Sequence, residues 1–297
     1  DLGIAMSEGD VSAMDRLNVL LETVSSGYVP NRFDDCIVTD DIYEMLAAVS
    51  DENRFKFNIP TLSKEVYGLA RGEFACFAAY SNVGKTAFAI SLSAAPGGFC
   101  EQGAKVGYIA NEEFGKRVKL RAVQAYAGMT KEEVIFEPRK AAAIYSGIKD
   151  KLIFADAQDW DVQTLDAYLG QGNFGVVFVD MADKISLSSN FNSSHERLAD
   201  LYYRLRELAK KHNVALIGMS QASGEAEGKT RLTMSMLAGS RVAKQAECDL
   251  LIGLGKGNSP DEDKDPTRYI NVMKNKISGW HGMIICNLDA DRNRYGA

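Results

Sequence analysis

Apolar positions along the chain fall into two kinds of run that alternate. Short continuous stretches predict buried strands at Phe74 to Ala78, Lys105 to Ala110, 151–155, 174–179, 214–219, 249–254, 268–273 and 283–288. Between several of them the apolar residues recur at helical spacing. The clearest case is 196–212, where Leu198, Leu201, Tyr202, Leu205, Leu208 and Ala209 form one stripe; others are Ala87 to Ala95, 113–127 and 131–147. Strands alternating with helices predict an α/β fold with a mainly parallel central sheet covered on both faces. Ligands of such a sheet bind beyond the carboxyl ends of its strands.

The first 54 residues read differently. Val11, Met14, Leu17, Leu20, Leu21 and Val24 keep helical spacing, as does 41–49 more briefly, but Gly27, Pro30 and the polar run Ser50 to Arg54 have the composition of a linker. This predicts a short N-terminal helical arm, 1–54, ahead of one large α/β domain over 55–297. No internal repeat is visible. The one biased segment, Gly255 to Pro266, is acidic and flanked by Gly and Pro, as an exposed loop would be.

With 297 residues, 46% of them hydrophobic and 25% charged, the chain can bury a large core. No run approaches the ~20 apolar residues that cross a bilayer, so a soluble, cytoplasmic protein with no membrane partner is expected. The start, Asp1-Leu2-Gly3, fits a trimmed part of something longer. Five widely spaced cysteines (Cys36, Cys76, Cys100, Cys248, Cys286) sit mostly in apolar runs and suit small buried hydrophobes. His195, His212 and His281 lack metal-ligand spacing. A net charge of −6 excludes a surface coated for nucleic acid, though not a local basic channel.

The chemistry concentrates where the first strand meets the first long helix. Ala79-Tyr80-Ser81-Asn82-Val83-Gly84-Lys85-Thr86 is a phosphate-binding loop, with Ala79 in place of the usual first glycine. Backbone N–H groups and the helix start surround the phosphates of ATP, Lys85 brings a compact positive charge to the β/γ oxygens, and the Thr86 hydroxyl ligates Mg²⁺. Asp180 ends the strand 176–179, from which a carboxylate can hold a water of the metal's shell. Glu112, with Glu113 as the fallback, is placed to orient the attacking water from the end of a strand taken to neighbour the phosphate loop. Gln221 closes the strand 214–219 plus Ser220 and can sense the γ-phosphate. Two polar loops on the same edge, Lys184 to Ser194 and Ala222 to Ser235, suit a phosphodiester backbone bound without base readout; Lys184, Asn190, Asn192, Lys229 and Arg231 are the candidate contacts. Mobile surface loops have the same composition.

Taken together, Gly68 to Glu73, the phosphate loop, Asn111-Glu112-Glu113, Val179-Asp180, the helix 196–212 with Ala215 to Gln221, Leu237 to Arg241, Glu247 to Leu251 and Lys274 to Gly279 resemble replicative helicases of the DnaB type over about 58–290. The resemblance implies a RecA-like P-loop ATPase core, assembly into a ring, usually a hexamer, with ATP between subunits, and single-stranded DNA in the central channel. A primase or helicase loader is an implied partner, and a phage or bacterial replication system the implied setting. The family's Lys-x-Arg, whose arginine reaches the neighbour's γ-phosphate, is here Lys274-Asn275-Lys276, so Lys274 and Lys276, or Arg292 or Arg294, become the candidates for that role. Tyr295 is a candidate to stack on the adenine. A recombinase forming open filaments, or an ATP-dependent assembly scaffold indifferent to nucleic acid, shares the core and is the rival expectation.

Overall fold

The structure is a computed structural model that describes residues 40–50, 53–188, 191–239, 241–258 and 265–296. It divides into two compact units, Asp1–Ser50 and Asp51–Ala297. In the first, the described segment is one helix, α1 (Ile42–Val49), opened by the Asp41 side chain accepting the Tyr43 N–H at 2.8 Å. The expected helix at 11–24 lies outside the described residues.

The second unit is built on a nine-stranded sheet: β1 (Phe74–Ala79), β2 (Val106–Ala110), β3 (Leu152–Asp156), β4 (Val176–Val179), β5 (Ala215–Gln221), β6 (Leu250–Gly255), β7 (Thr267–Asn275), β8 (Gly282–Asp289) and β9 (Arg294–Gly296). Their order is β3-β2-β4-β5-β1-β6-β7-β8-β9. Strands β3 to β6 in that order pair in parallel, and β7, β8 and β9 add on antiparallel. The eight expected strands are all present, and the mainly parallel α/β class holds. Every residue of β1, β2, β4 and β6 is buried, which is why these strands read as unbroken apolar runs. Strand β8 alternates instead, because one of its faces is open.

Among the described residues, eight helices complete this unit: α2 (Pro60–Val66), α3 (Lys85–Ala94), α4 (Gly115–Ala127), α5 (Lys131–Phe136), α6 (Pro138–Tyr145), α7 (Val162–Gly172), α8 (Ser194–Lys211) and α9 (Arg241–Glu247). One apolar cluster holds α3 and α4 against a face of the sheet, and a second holds α7 and α8 against the other. All six members of the α8 stripe are buried. The single helix expected over 131–147 is two helices. Pro138 starts the second, and Glu137 before it leaves the helical region (φ −120°, ψ 57°) because the proline ring crowds it. Cys76, Cys100, Cys248 and Cys286 are buried free thiols, while Cys36 lies outside the described residues.

One expectation fails in the topology. Strand β2, which ends at Ala110 two residues before Glu112, does not neighbour β1; β4 and β5 stand between them. Parallel strands with right-handed crossovers often skip positions in this way, and a short apolar run carries no mark of its neighbour.

Candidate active site

The carboxyl ends of β1, β4, β5 and β2 open onto a cleft of about 460 Å³ lined by Ala79 to Asn82, Gly84 to Ala87, Glu112, Glu113, Asp180 and Gln221 among others. Its floor is the phosphate loop. Asn82 and Gly84 both take left-handed backbone angles (φ 60° and 105°) on either side of Val83, the alternation that turns successive N–H groups toward a concavity. Gly84 cannot be replaced here for two reasons. Its φ is closed to ordinary side chains, and a Cβ would stand 2.8 Å from Leu288 Cδ2 and from the Tyr295 hydroxyl. Gly84 is the N-cap of α3 and makes no side-chain cap, so the positive end of the helix is left for an anion.

Above the loop, Lys85 Nζ lies 3.5 Å from Glu112 Oε2 and 3.6 Å from Asp180 Oδ1. The cation is thus held between two carboxylates. Asp180 is almost wholly buried; its Oδ2 accepts from the Tyr108 hydroxyl at 2.9 Å, and its Oδ1 has no hydrogen-bond donor among the described residues. Burial raises its pKa above the usual carboxylate range, against the pull of Lys85 and the Tyr108 hydroxyl. An orphaned buried carboxylate oxygen beside a lysine, in a cleft that Thr86 also lines, is a donor set a hydrated Mg²⁺ fits. Glu113 is occupied by Arg121 at 3.0 Å, whereas Glu112 is half-exposed and pairs among the described residues with Lys85, which leaves Glu112 the freer of the two. From β5, the strand beside β1, the Gln221 amide donates to Ser81 Oγ at 3.0 Å and so touches the loop directly.

Several expectations need correcting. Tyr295 does not face the cleft as a stacking surface. It is buried in β9, edge-on to Phe88 at 5.0 Å, and its hydroxyl reaches the carbonyls of Val83 and Gly84 at 3.4 and 3.3 Å. It props the loop from behind. Val83 likewise points its side chain into the core, with its carbonyl held by the Arg268 Nε at 2.8 Å.

Lys274 is not free either, since its ammonium donates to the carbonyls of Gln245 and Ala246 at the end of α9. Arg294 donates to Ala125 and Tyr126 carbonyls, and Arg292 to Gly128, so both secure the end of α4. Each of these cations is consumed by helix carbonyls that lack an internal partner. Lys276 is half-exposed, 3.7 Å from Asp249, beside the start of β1. The six residues of β1 separate it from its own phosphate loop by roughly 20 Å. From there Lys276 does not reach a phosphate held on its own loop.

Among the loop candidates, Lys184, Asn192, Lys229 and Arg231 are at the surface or near it, and Asn190 lies outside the described residues. Among the described residues, local structure is found at the start of the first loop and through the second. Single 3-10 turns form at Ala182–Lys184, Gly224–Ala226 and Met234–Met236, and Ala222, Ala226 and Leu232 make a small apolar cluster. Arg268 and Tyr108 were not foreseen. Arg268 sits at a core-facing position in step with Ile270 and Val272, and a cation in that register is the signal that marks it.

A profile of the AAA domain family matches residues 40–227, more than half of the chain. The chain belongs to the AAA domain family. No curated protein matches it. Among solved structures, one described as an ATPase domain superimposes with a TM-score of 0.73 at 18% identity, covering 87% of this chain and 99% of that one. A DnaB-like replicative helicase, described with its interactions with primase, superimposes with a TM-score of 0.75 at 17% identity, covering 96% of this chain and 73% of that one. At these identities the likeness establishes the fold, the RecA-like core of DnaB-type ATPase domains, and this AAA domain chain carries its phosphate loop on that core. Among the described residues, no helix is long and apolar enough to cross a membrane.

Proposed function

We propose that this AAA domain protein is an ATP-driven motor that assembles into a ring, hexameric in its closed form, moves along single-stranded DNA and separates duplex. The observation that carries the reading is the set of groups at one sheet edge: an uncapped helix behind a left-handed loop, Lys85 between Glu112 and Asp180, and Gln221 bonded to the loop itself.

ATP binds with its β- and γ-phosphates on the N–H groups of the loop and on Lys85, which gives up its two carboxylates as it takes the phosphates. Mg²⁺ would be held by Thr86 and, through water, by Asp180, where it would offset the negative charge of the phosphates. Glu112, released by Lys85, orients the attacking water and takes its proton. Gln221 registers the loss of the γ-phosphate and passes it to 222–237. Lys229 and Arg231 on that loop and Lys184 on the loop after β4 contact the DNA backbone. Lys276 completes the site of the adjacent subunit, without the planar fork that an arginine would bring. A primase is the expected partner of the assembled ring, and α1 belongs to an arm, 1–54, ahead of the motor.

ATP hydrolysis with and without single-stranded DNA tests this reading. The wild type is expected to be stimulated by DNA and Lys85→Ala to be inactive in both conditions. Wild-type hydrolysis by Lys85→Ala would remove the site assignment, and a wild type indifferent to DNA with assembly intact would favour the scaffold instead.

A further inference from the structure

The proposed reaction leaves a buried cation unused. Lys244 of α9 is fully buried, and a lysine so placed keeps its charge only if its protons find acceptors. Three are present: Asp183 Oδ2 at 2.9 Å, Ser220 Oγ at 2.7 Å and the Ala238 carbonyl at 2.7 Å, with the Tyr202 ring 5.3 Å away. Asp183 accepts twice more, from the Ser220 hydroxyl at 2.6 Å and, on its other oxygen, from the Tyr202 hydroxyl at 2.9 Å. The node is closed, and its members come from α8, α9, β5 and the loops after β4 and β5.

The addresses of those partners give the node its meaning. Asp183 lies three residues beyond Asp180, at the root of the loop after β4, where Arg197 also grips the carbonyls of Asp183 and Ile185. Ser220 immediately precedes Gln221 in β5. Ala238 ends the loop that Gln221 begins, and its N–H donates back to the Gln221 carbonyl at 3.3 Å, beside the bridge of Ala222 with Leu237. Buried apolar side chains would fill the same space with comparable stability, but dispersion has no direction. Charged hydrogen bonds fix the mutual position of the segments they join.

We propose that Lys244 is a positioning residue that fastens the roots of both loops to the strand end bearing Gln221, so that a nucleotide-dependent shift of Gln221 reaches 183–188 and 222–238 together. The inference rests on the reading of Gln221 as the phosphate sensor.

Hydrogen exchange of the full chain, with and without a non-hydrolysable ATP analogue and Mg²⁺, tests it. In the wild type the analogue is expected to slow exchange in both loops as well as over 80–86. In Asp183→Asn/Lys244→Met, which leaves no charge uncompensated, the slowing of both loops is expected to fall at least about fivefold, the low end of common coupling factors, while analogue affinity and protection over 80–86 stay at wild-type values. Ser220→Ala, which removes one arm and keeps the ion pair, is expected to show a smaller loss in both loops and decides the matter if the double variant does not fold. A purely structural role would speed exchange equally in both nucleotide states and leave the difference at its wild-type size, which would overturn the proposal, as would a wild type whose loops ignore the analogue. No DNA is present, so a protein whose loops respond but which fails to bind single-stranded DNA would sink the helicase reading and leave this one standing.

Discussion

Removing a single hydroxyl behind the cleft is expected to weaken the proposed Mg²⁺ site without touching it. Tyr108 is fully buried between Phe178 and Phe154 (ring centroids at 6.1 and 5.3 Å), and its hydroxyl supplies the hydrogen bond that Asp180 Oδ2 receives at 2.9 Å. Because Asp180 Oδ1 already lacks a donor among the described residues, Tyr108→Phe leaves a buried carboxylate with neither oxygen hydrogen-bonded. A hydrogen bond to a charged group contributes about 1.5–3 kcal/mol, or roughly 10- to 150-fold in an equilibrium or rate. The ring and its packing survive the change, so the loss falls on the orientation and ionisation of Asp180. Its pKa, already raised by burial, climbs further once the phenol no longer lowers it. ATP turnover measured across a Mg²⁺ titration and across pH is the assay. A Mg²⁺ requirement higher by at least about tenfold, partial recovery at saturating Mg²⁺, and an acid limb of the rate profile moved to higher pH are expected. Mg²⁺ and pH curves that superimpose on the wild type would refute the reasoning.

Other outcomes follow from the same geometry. Tyr295→Phe is expected to cost about 0.5–1.5 kcal/mol of stability in thermal unfolding through the lost props on Val83 and Gly84, with the ratio of ATP to GTP turnover left at its wild-type value; a changed ratio would return Tyr295 to the base site. Asp180→Asn should abolish turnover yet ease the nucleotide-free fold. Since the folded-state pKa is raised, Asp180 favours folding below its unfolded value and this contribution is lost as pH rises through the folded value. The thermal midpoint of the variant should therefore exceed the wild type by more at pH 7 than in acid, and a pH-independent difference would contradict it. A mixture of Lys85→Ala and Lys276→Ala subunits should hydrolyse ATP faster than either alone, because the first supplies Lys276 to the intact phosphate loop of the second; a merely additive rate would exclude action in trans.

What the sequence made legible depended on how local each signal was. The phosphate loop is one contiguous stretch with a strand before it and a helix after, so spacing alone located it. Asp180 and Gln221 ended strands whose unbroken apolar runs came from burial on both faces. Strand β9 escaped because three residues, Arg294 to Gly296, leave no period to read. Helix α2 escaped as well, its seven residues burying only Leu62 and Val66, and α7 was missed although Val162, Leu165 and Leu169 stand at helical spacing. Arg268 meets Val83 across 185 residues, Tyr108 meets Asp180 across 72, and Lys244 meets Asp183 across 61. No local pattern joins such pairs; the crossovers of the sheet bring them together. Lys274, Arg292 and Arg294 were overvalued for the converse reason, as a cation in sequence looks the same whether it waits for a ligand or satisfies helix carbonyls.

Strand separation on a forked DNA duplex tests the central claim most directly. The wild type with ATP and Mg²⁺ is expected to displace the paired strand, and Lys85→Ala, or the wild type with a non-hydrolysable analogue, to leave the fork intact. ATP hydrolysis by the wild type with no strand displaced would contradict the account.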